Sequence, residues 1–524
     1  MFCDMLKLLQ MKKIFNFRLF LLLAICLLVA SFFATYIFVA EKLKLVMFLI
    51  FVSLFVVSLI LLVSFKRKFL GVISILLLFV ALPFISNYAK SKSLSENVKY
   101  EDSAVFLTGK ISGNYKFTTS GNLEILLDDV SFDYDNQEVK LNGKVVIYTK
   151  PENLDLSKLD AGVVLKVKTK LSAFTLARDN LSRSLSYLNR GIVASGFSMF
   201  YNITVTNESR ASVKDKICLA VFNKLENADV KYSEIGYAMM FGDSNVLTDE
   251  VKNSFRATGI AHLLAVSGLH VSLIVLMLSF VLRKLKVNYK LNFALSIVFL
   301  SFYCYLCDFS VSVLRASLMA LFSLYASMRG KCYDNLSVLS IAAIIPVLIS
   351  PIEMFNISFV LSFTAVLSII LLSKPLVRIL NKVFYEKFSN VLALNIAVQI
   401  GLFAANVFYF GRFSLLGIFA NLIAVPIAST AFIVLVATTC LAFVFPFMDF
   451  LIKAFGLLMS VVVKFNGWIS TFDVTLRFGM VSPYAMLVMF VFMFMISDYV
   501  FAGKKKKCLF AASSIGLMLF LLLI

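Results

Sequence analysis

The chain has 524 residues, of which 60% are hydrophobic and only 15% charged, with a formal net charge of +20. That composition excludes a globular fold with a polar exterior, and the many long apolar runs mark a polytopic α-helical membrane protein. The charge alone does not call for nucleic acid. The one long polar stretch, 89–258, balances 22 Lys+Arg against 21 Asp+Glu, and the excess lies mainly in short loops between apolar runs, as the positive-inside rule accounts for.

In chain order, Lys7, Lys12, Lys13 and Arg18 precede an apolar run over 19–40. It is longer than a signal-peptide core and a second span, 45–65, follows at once, so it reads as an uncleaved anchor. A third span, 69–88, follows Lys66, Arg67 and Lys68. Region 1–88 therefore holds about three transmembrane helices, with the N-terminus cytoplasmic and the polar stretch on the outer side.

Residues 89–180 carry β signals. Apolar and β-branched runs at 105–112, 123–130, 144–149 and 163–171 are separated by turn dipeptides such as Gly121-Asn122 and Asn142-Gly143. Roughly four or five short strands suit an inserted small β-barrel of OB-like type. Lys110, Lys116, Lys166, Lys168 and Lys170, with Tyr115 and Phe117, offer a DNA-binding face. A folded spacer with an ordinary solvated surface explains the same residues equally well.

Region 181–258 reads as a linker with amphipathic helices. Val213, Ile217, Val221 and Leu225 recur every fourth residue. A second short helix is expected to stop at Gly242, and Thr248 is placed to cap a third, which ends at Gly259. Region 259–524 holds about ten further spans, about thirteen in all, and its loop charges alternate in register with them.

Polar residues inside spans are costly in lipid and so mark protein-facing or wet surfaces. Arg315 lies four residues into its span and either pairs with Asp308 or contacts a passing anion. Asn395, Gln399 and Asn406 share one helical face, and Ser358 and Ser362 form a smaller stripe. The apolar run 413–445 is too long for a straight span, and Asn421 to Pro426 is expected to break it, since proline removes a backbone donor. Cations for an anion path are sought at Arg256, Arg315, Lys453 and Lys464.

Both histidines, His262 and His270, fall in GIAHLLAVSGLH at 259–270, with Ser267 and Gly268 between them. Three sharp readings compete: a Ser267–His270 nucleophile–base pair, a two-histidine metal site, and a pore or gate element with a weak point at Gly268. A structural turn with hydrogen-bonded histidines is compatible with the third. No acidic orienting residue lies nearby in sequence, and eight residues of helix hold the imidazoles about 12 Å apart. Two histidines among scattered cysteines make no zinc-hydrolase site, so the expectation is a non-enzyme without cofactor or metal. Cys304 and Cys307 form a CxxC that reads as helix packing before it reads as a local disulfide.

The run FRATGIAHLLAVSGLH at 255–270 resembles the signature of the ComEC family of competence proteins. The resemblance extends to Gly242-Asp243, VLRA at 313–316 with Met319-Ala320, SFVLSF at 358–363 and NLIAVP at 421–426. It implies a channel for single-stranded DNA in the inner membrane during natural transformation. The channel and gate residues would be His262, Ser267, Gly268, His270, Arg315, Asn395, Gln399, Asn406, Asn421 and Pro426, with Asp243 and Arg256 at the outer approach. The partners so implied are single-stranded DNA, membrane lipids, an outer-side DNA receptor, a cytoplasmic helicase-type motor and cytoplasmic single-strand-binding proteins. Many family members also carry a metallo-β-lactamase-like domain. This chain is expected to lack it, leaving strand degradation to a separate nuclease. A secondary transporter or flippase for a small anionic or lipid-linked substrate is the alternative, and an intramembrane serine hydrolase the third reading.

Overall fold

A computed structural model describes residues 19–37, 41–65, 68–100, 104–113, 115–118, 121–134, 137–151, 161–174, 181–209, 211–330, 334–472, 474–478 and 484–500, with a few isolated positions besides. The chain is mostly helical, with a separate sheet region. Three helices come first: α1 (Leu19–Phe32), α2 (Glu41–Phe65) and α3 (Lys68–Val98). The sheet region holds β1 (Ala104–Ile111), β2 (Lys116–Phe117), β3 (Leu123–Tyr134), β4 (Gln137–Lys140), β5 (Lys144–Thr149), β6 (Val163–Ala173), the short helix α4 (Leu181–Leu188), β7 (Ile192–Phe197) and β8 (Ile203–Ser209).

The sheet closes on itself. β1 pairs with both β3 and β6, β3 with β5, β5 with β7, and β7 with β6, so five strands form a ring. Every pairing in the ring is antiparallel except β5–β7. Strand alternation explains it: along β6 the odd positions Leu165, Val167, Thr169 and Leu171 are buried while Lys166, Lys168 and Lys170 are exposed. The inward set packs with Leu107, Leu127 and Ile147. The sheet does not stop at 180. β7 closes the ring and β8 pairs with β6, so the expected linker at 181–258 begins within it. β7 escapes a sequence reading because Ala, Ser and Gly interrupt its apolar pattern, whereas the Ile-Thr-Val-Thr alternation of β8 was an available signal.

Three helices come next: α5 (Val213–Asn227), α6 (Ser233–Phe241) and α7 (Asp249–Ala257). Ser212 and Asp215 form a reciprocal cap on α5, and Thr248 Oγ accepts from the Val251 N–H at the start of α7. α6 stops at Gly242, which takes the left-handed φ of 82°. These helices pack on the membrane domain, whose helices are α8 (Gly268–Lys284), α9 (Tyr289–Leu306), α10 (Val311–Arg329), α11 (Asn335–Ile349), α12 (Ile357–Leu380), α13 (Glu386–Phe410), α14 (Gly417–Val444), α15 (Lys453–Ser470) and α16 (Tyr484–Ile496). A short strand β9 (Arg412–Ser414) pairs with β10 (Thr475–Arg477).

Among the described residues, 6 helices are long and apolar enough to cross a membrane by length and composition, and four shorter apolar helices accompany them. The expected span at 508–524 lies almost wholly outside the described residues. Two expectations are corrected. The span expected from 260 begins as a helix only at Gly268, because 261–264 is a 3-10 turn and Ser267 caps the helix that starts beside it. The run 413–445 is not broken at Pro426 but forms one helix of 28 residues. The carbonyl of Leu422 loses its intrahelical donor there, and buried Ala424 and Ala428 pack the helix on either side of the proline.

The sheet region docks through Leu94 of α3, which packs with Phe174, Ile192, Val193 and Ile352. Leu127, fully buried in the ring, tests its closure. Leu127→Ala should cost about 2–5 kcal/mol, read as earlier proteolysis of 104–209 in the full-length chain, with the helical region still protected.

Candidate functional site: a cation-lined cavity

The segment between α7 and α8 is shaped by what lipid cannot do for it. The first N–H groups of a helix need acceptors. At α8, Ser267 Oγ accepts from the His270 N–H (3.4 Å), and His270 Nδ1 accepts from the Ser267 N–H (3.3 Å). The two side chains therefore cap the helix reciprocally and do not form a nucleophile–base pair. The His270 ring is fully buried and stacks on Phe432 of α14, with centroids 4.4 Å apart. His270 is not among the lining residues: its Nδ1 serves the cap and its ring face the stack, while its Nε2 is buried without a hydrogen-bond partner among the described residues.

Gly268 opens α8 without a side chain. A Cβ there would overlap the guanidinium of Arg315, which approaches from α10 and also lies over the Phe363 ring at 6.0 Å. Gly259 takes a φ of 78° and sits against Gly417 and Ser414. Behind them, Asn466 of α15 donates to Ser254 Oγ at 2.7 Å and bonds the Thr258 hydroxyl, which ties α7 to the bundle.

This frame surrounds a cavity of ≈ 1600 Å³. Its lining runs from Gly268 to Arg283 along α8, about 22 Å, and from Val391 to Phe410 along α13, about 28 Å. Those lengths approach the ~30 Å of a hydrocarbon core. Of the expected residues, His262, Ser267, Gly268, Arg315, Asn395, Gln399, Asn406, Asn421, Pro426 and Arg256 all line it. The three carboxamides of α13 thus share one wall. Leu422, the residue one turn before Pro426, lines the cavity too.

Other expected residues lie elsewhere. Asp243 stands outside the lining, where it accepts from the Asn245 N–H and lies near Gly113 of the sheet region. Asp308 pairs with Lys214 at 2.5 Å. Lys453 is outside the lining, near Asp229 at 3.7 Å, and Lys464 is exposed and outside it as well, because both belong to a helix that backs the cavity wall rather than forming it. Lys110, Lys116, Lys166, Lys168 and Lys170 do not line the cavity either. Lys168 lies over the exposed Phe106 ring at 5.2 Å. Tyr115 is half-buried and packs against the barrel core, and the side chain of Phe117 lies outside what is described. Cys304 and Cys307 are free thiols, buried beside Ser317 and Met240.

Sequence reasoning missed three cations of the lining: Lys252, Arg283 and Arg412. It also missed most of the serines, including Ser272, Ser279, Ser323 and Ser327. Arg283 and Arg412 counted as loop charges, but they belong to the end of α8 and to β9 and both line the cavity. The serine spacings of four and seven residues were the available signal. The lining holds five cationic side chains, Lys252, Arg256, Arg283, Arg315 and Arg412, and no aspartate or glutamate among the described residues. Burial pushes the Lys252 ammonium below the ordinary lysine value, while Asp249 acts against that shift. Such a cavity attracts an anion and offers it hydroxyl and amide donors. Among the described residues no group of His, Cys, Asp and Glu could hold a metal ion.

A family model described as Competence protein matches residues 239–501, half of the chain, and every cavity-lining residue falls inside that match. The chain belongs to the competence protein family. ComE operon protein 3 of Bacillus subtilis (strain 168) is 28% identical over 189 residues, 36% of this chain and 24% of that protein. Recombination protein 2 of Haemophilus influenzae is 28% identical over 207 residues, 37% of this chain and 26% of the relative. An uncharacterized protein of Aquifex aeolicus is 35% identical over 142 residues, 27% of this chain and 33% of its own length. The chain thus matches these family relatives over about a quarter to a third of their length. No solved structure matches it.

The cap separates two roles for Ser267. Asparagine caps helices as well as serine but carries no hydroxyl nucleophile. Ser267→Asn should keep the thermal stability of the purified chain and its activity, whereas Ser267→Ala should lose about 1 kcal/mol of stability. Loss of activity in a stable Ser267→Asn protein would restore hydroxyl chemistry.

Proposed function

We propose that the chain is an inner-membrane channel that takes up single-stranded DNA during natural transformation. The observation that carries this reading is the cavity, which runs along helices of membrane length with five cations and no carboxylate among its described lining residues. A single strand bears one negative charge per nucleotide, so its path needs cations and donors spaced along it. The volume exceeds the roughly 300–1,000 Å³ of a small-molecule site, which favours a polymer over a small anionic substrate. Family membership points the same way, as does the name of the ComE operon relative.

Within this reading, Arg315 and His262 line or gate the path with Gly268, the α13 carboxamides, Asn421 and Pro426, while Arg256 stands at the outer approach. Asp243 flanks that approach and His270 holds the frame. We read the five-stranded ring as an OB-like barrel, a reading supported by its closure and single parallel pair, and its exposed Lys166, Lys168 and Lys170 would face a strand. About thirteen spans, a cytoplasmic N-terminus and an outer-side barrel complete the topology. An outer-side DNA receptor, a helicase-type motor, cytoplasmic single-strand-binding proteins and a separate nuclease would be its partners.

In a strain lacking the chain, labelled DNA should bind outside the cell but fail to reach the cytoplasm. Complementation with Arg315→Ala should lower import about tenfold or more, the rate equivalent of ~1.4 kcal/mol, at unchanged protein abundance. Arg315→Lys should recover part of it. Normal import by the null strain sinks the reading, and so does normal import by a well-expressed Arg315→Ala protein combined with Arg283→Ala.

A further inference from the structure

The helices around the cavity close a ring, and the ring sorts its polar residues by chemistry. α8 packs against α10, α10 against α12, α12 against α13, α13 against α14, and α14 against α8. In that order α13 stands across the cavity from the α8–α10 seam. The lining cations of the ring, Arg283 of α8 and Arg315 of α10, both lie on the seam. The far wall carries carboxamides instead, Asn395, Gln399 and Asn406 from α13 and Asn421 from α14. Lys252, Arg256 and Arg412 belong to α7 and β9, at the mouth.

Packing holds the carboxamide wall in place. From Asn395 to Asn406 it extends about 16 Å along α13. Gly417 has no side chain, and a Cβ there would lie 2.7 Å from Gln399 Nε2, so the amide rests against the start of α14. Gly401, on the other side of α13 from Gln399, brings the backbone against Ser368 of α12, which fixes the rotation that turns the stripe inward. Asn421 is buried, and its Oδ1 has no hydrogen-bond partner among the described residues. Asn292 of α9 lines the cavity as well, but its Oδ1 accepts from Ser296 Oγ at 3.3 Å.

A phosphodiester offers acceptors only. It suits guanidiniums and leaves the carbonyl half of each carboxamide without a donor. The unpaired bases of a single strand expose edges that carry donors as well as acceptors. A carboxamide donates through its nitrogen and accepts through its oxygen, and a flip of its terminal torsion suits it to the edge of any base.

We propose that the cavity holds a single strand in one orientation, with its backbone toward the α8–α10 seam and its base edges toward Asn395, Gln399, Asn406 and Asn421. This rests on the channel reading and adds to it a nucleobase subsite that grips bases without reading their sequence.

The test compares a fluorescent oligodeoxythymidylate with an abasic oligomer of the same length and charge, by anisotropy on the full-length chain in detergent. The parent chain carries Lys166→Gln, Lys168→Gln and Lys170→Gln, so that binding at the ring of strands does not mask the cavity. Adding Asn395→Leu, Gln399→Met and Asn406→Leu removes the hydrogen-bonding groups at nearly constant volume. It should weaken the thymidylate about tenfold, the equivalent of one or two net hydrogen bonds. The abasic oligomer and the salt dependence of both should be unchanged. Arg315→Gln should weaken both oligomers alike and lower the slope of log K against log salt by about 0.7. Gln399→Met alone serves if the triple change does not fold, with the same contrast at about threefold. Equal losses on both oligomers overturn the subsite, as does a folded carboxamide variant that binds both normally. A parent chain that binds the abasic oligomer as tightly as the thymidylate, or binds neither, overturns it too. Import in cells is scored separately. Normal import by the null strain alongside base-dependent binding would remove the channel reading and leave the subsite standing.

Discussion

A helix that starts within a membrane domain exposes N–H groups that lipid cannot satisfy, and the start of α8 meets that constraint with its own side chains. Ser267 and His270 cap each other's backbone, and the buried imidazole stacks on Phe432, so cap and helix packing are one arrangement. Because Gly268 has no side chain, the guanidinium of Arg315 comes close to the helix start. The position of α8, the placement of Arg315 and the shape of the cavity mouth all depend on that single turn.

The electrostatics of the cavity are as one-sided as its packing. Cations occur on α7 and the ribbon at one end, at Arg315 beside the start of α8, and at Arg283 near the other end of α8. Between them are serines and carboxamides, which donate hydrogen bonds without the grip of a full charge. Passage through a pore requires binding strong enough to draw an ion in and weak enough to release it. For the proposed channel, a few cations separated by neutral donors meet that requirement better than a continuous basic wall.

Regions outside the cavity brace its mouth. The ring of strands docks through an apolar cluster at Leu94, Phe174 and Ile352. α5 is anchored to the bundle at both ends, by Lys214 to Asp308 at 2.5 Å and by Lys224 to Asp449 at 2.8 Å. These partly exposed pairs fix orientation more than they add stability. The Asn466, Ser254 and Thr258 hydrogen bonds do the same for α7 from within.

The membrane class, the strands of the ring's first half, the helix stops at Gly242 and Gly259 and the polar stripe of α13 were legible in the sequence. Each is written in a local period or a single special residue: apolar run length, alternation at β6, a glycine with positive φ, carboxamides on one helical face. The sequence also marked Ser267, Gly268 and His270 as a special turn, since both histidines of the chain flank it. What it did not decide was the part each plays, because a serine and a histidine three residues apart spell a base pair and a helix cap in the same letters. Tertiary structure chose the cap, kept α14 whole through Pro426, and turned Arg283 and Arg412 from loop charges into cavity cations. Those outcomes depend on which faces distant helices present to one another, and that information is shared between segments rather than held within any one of them.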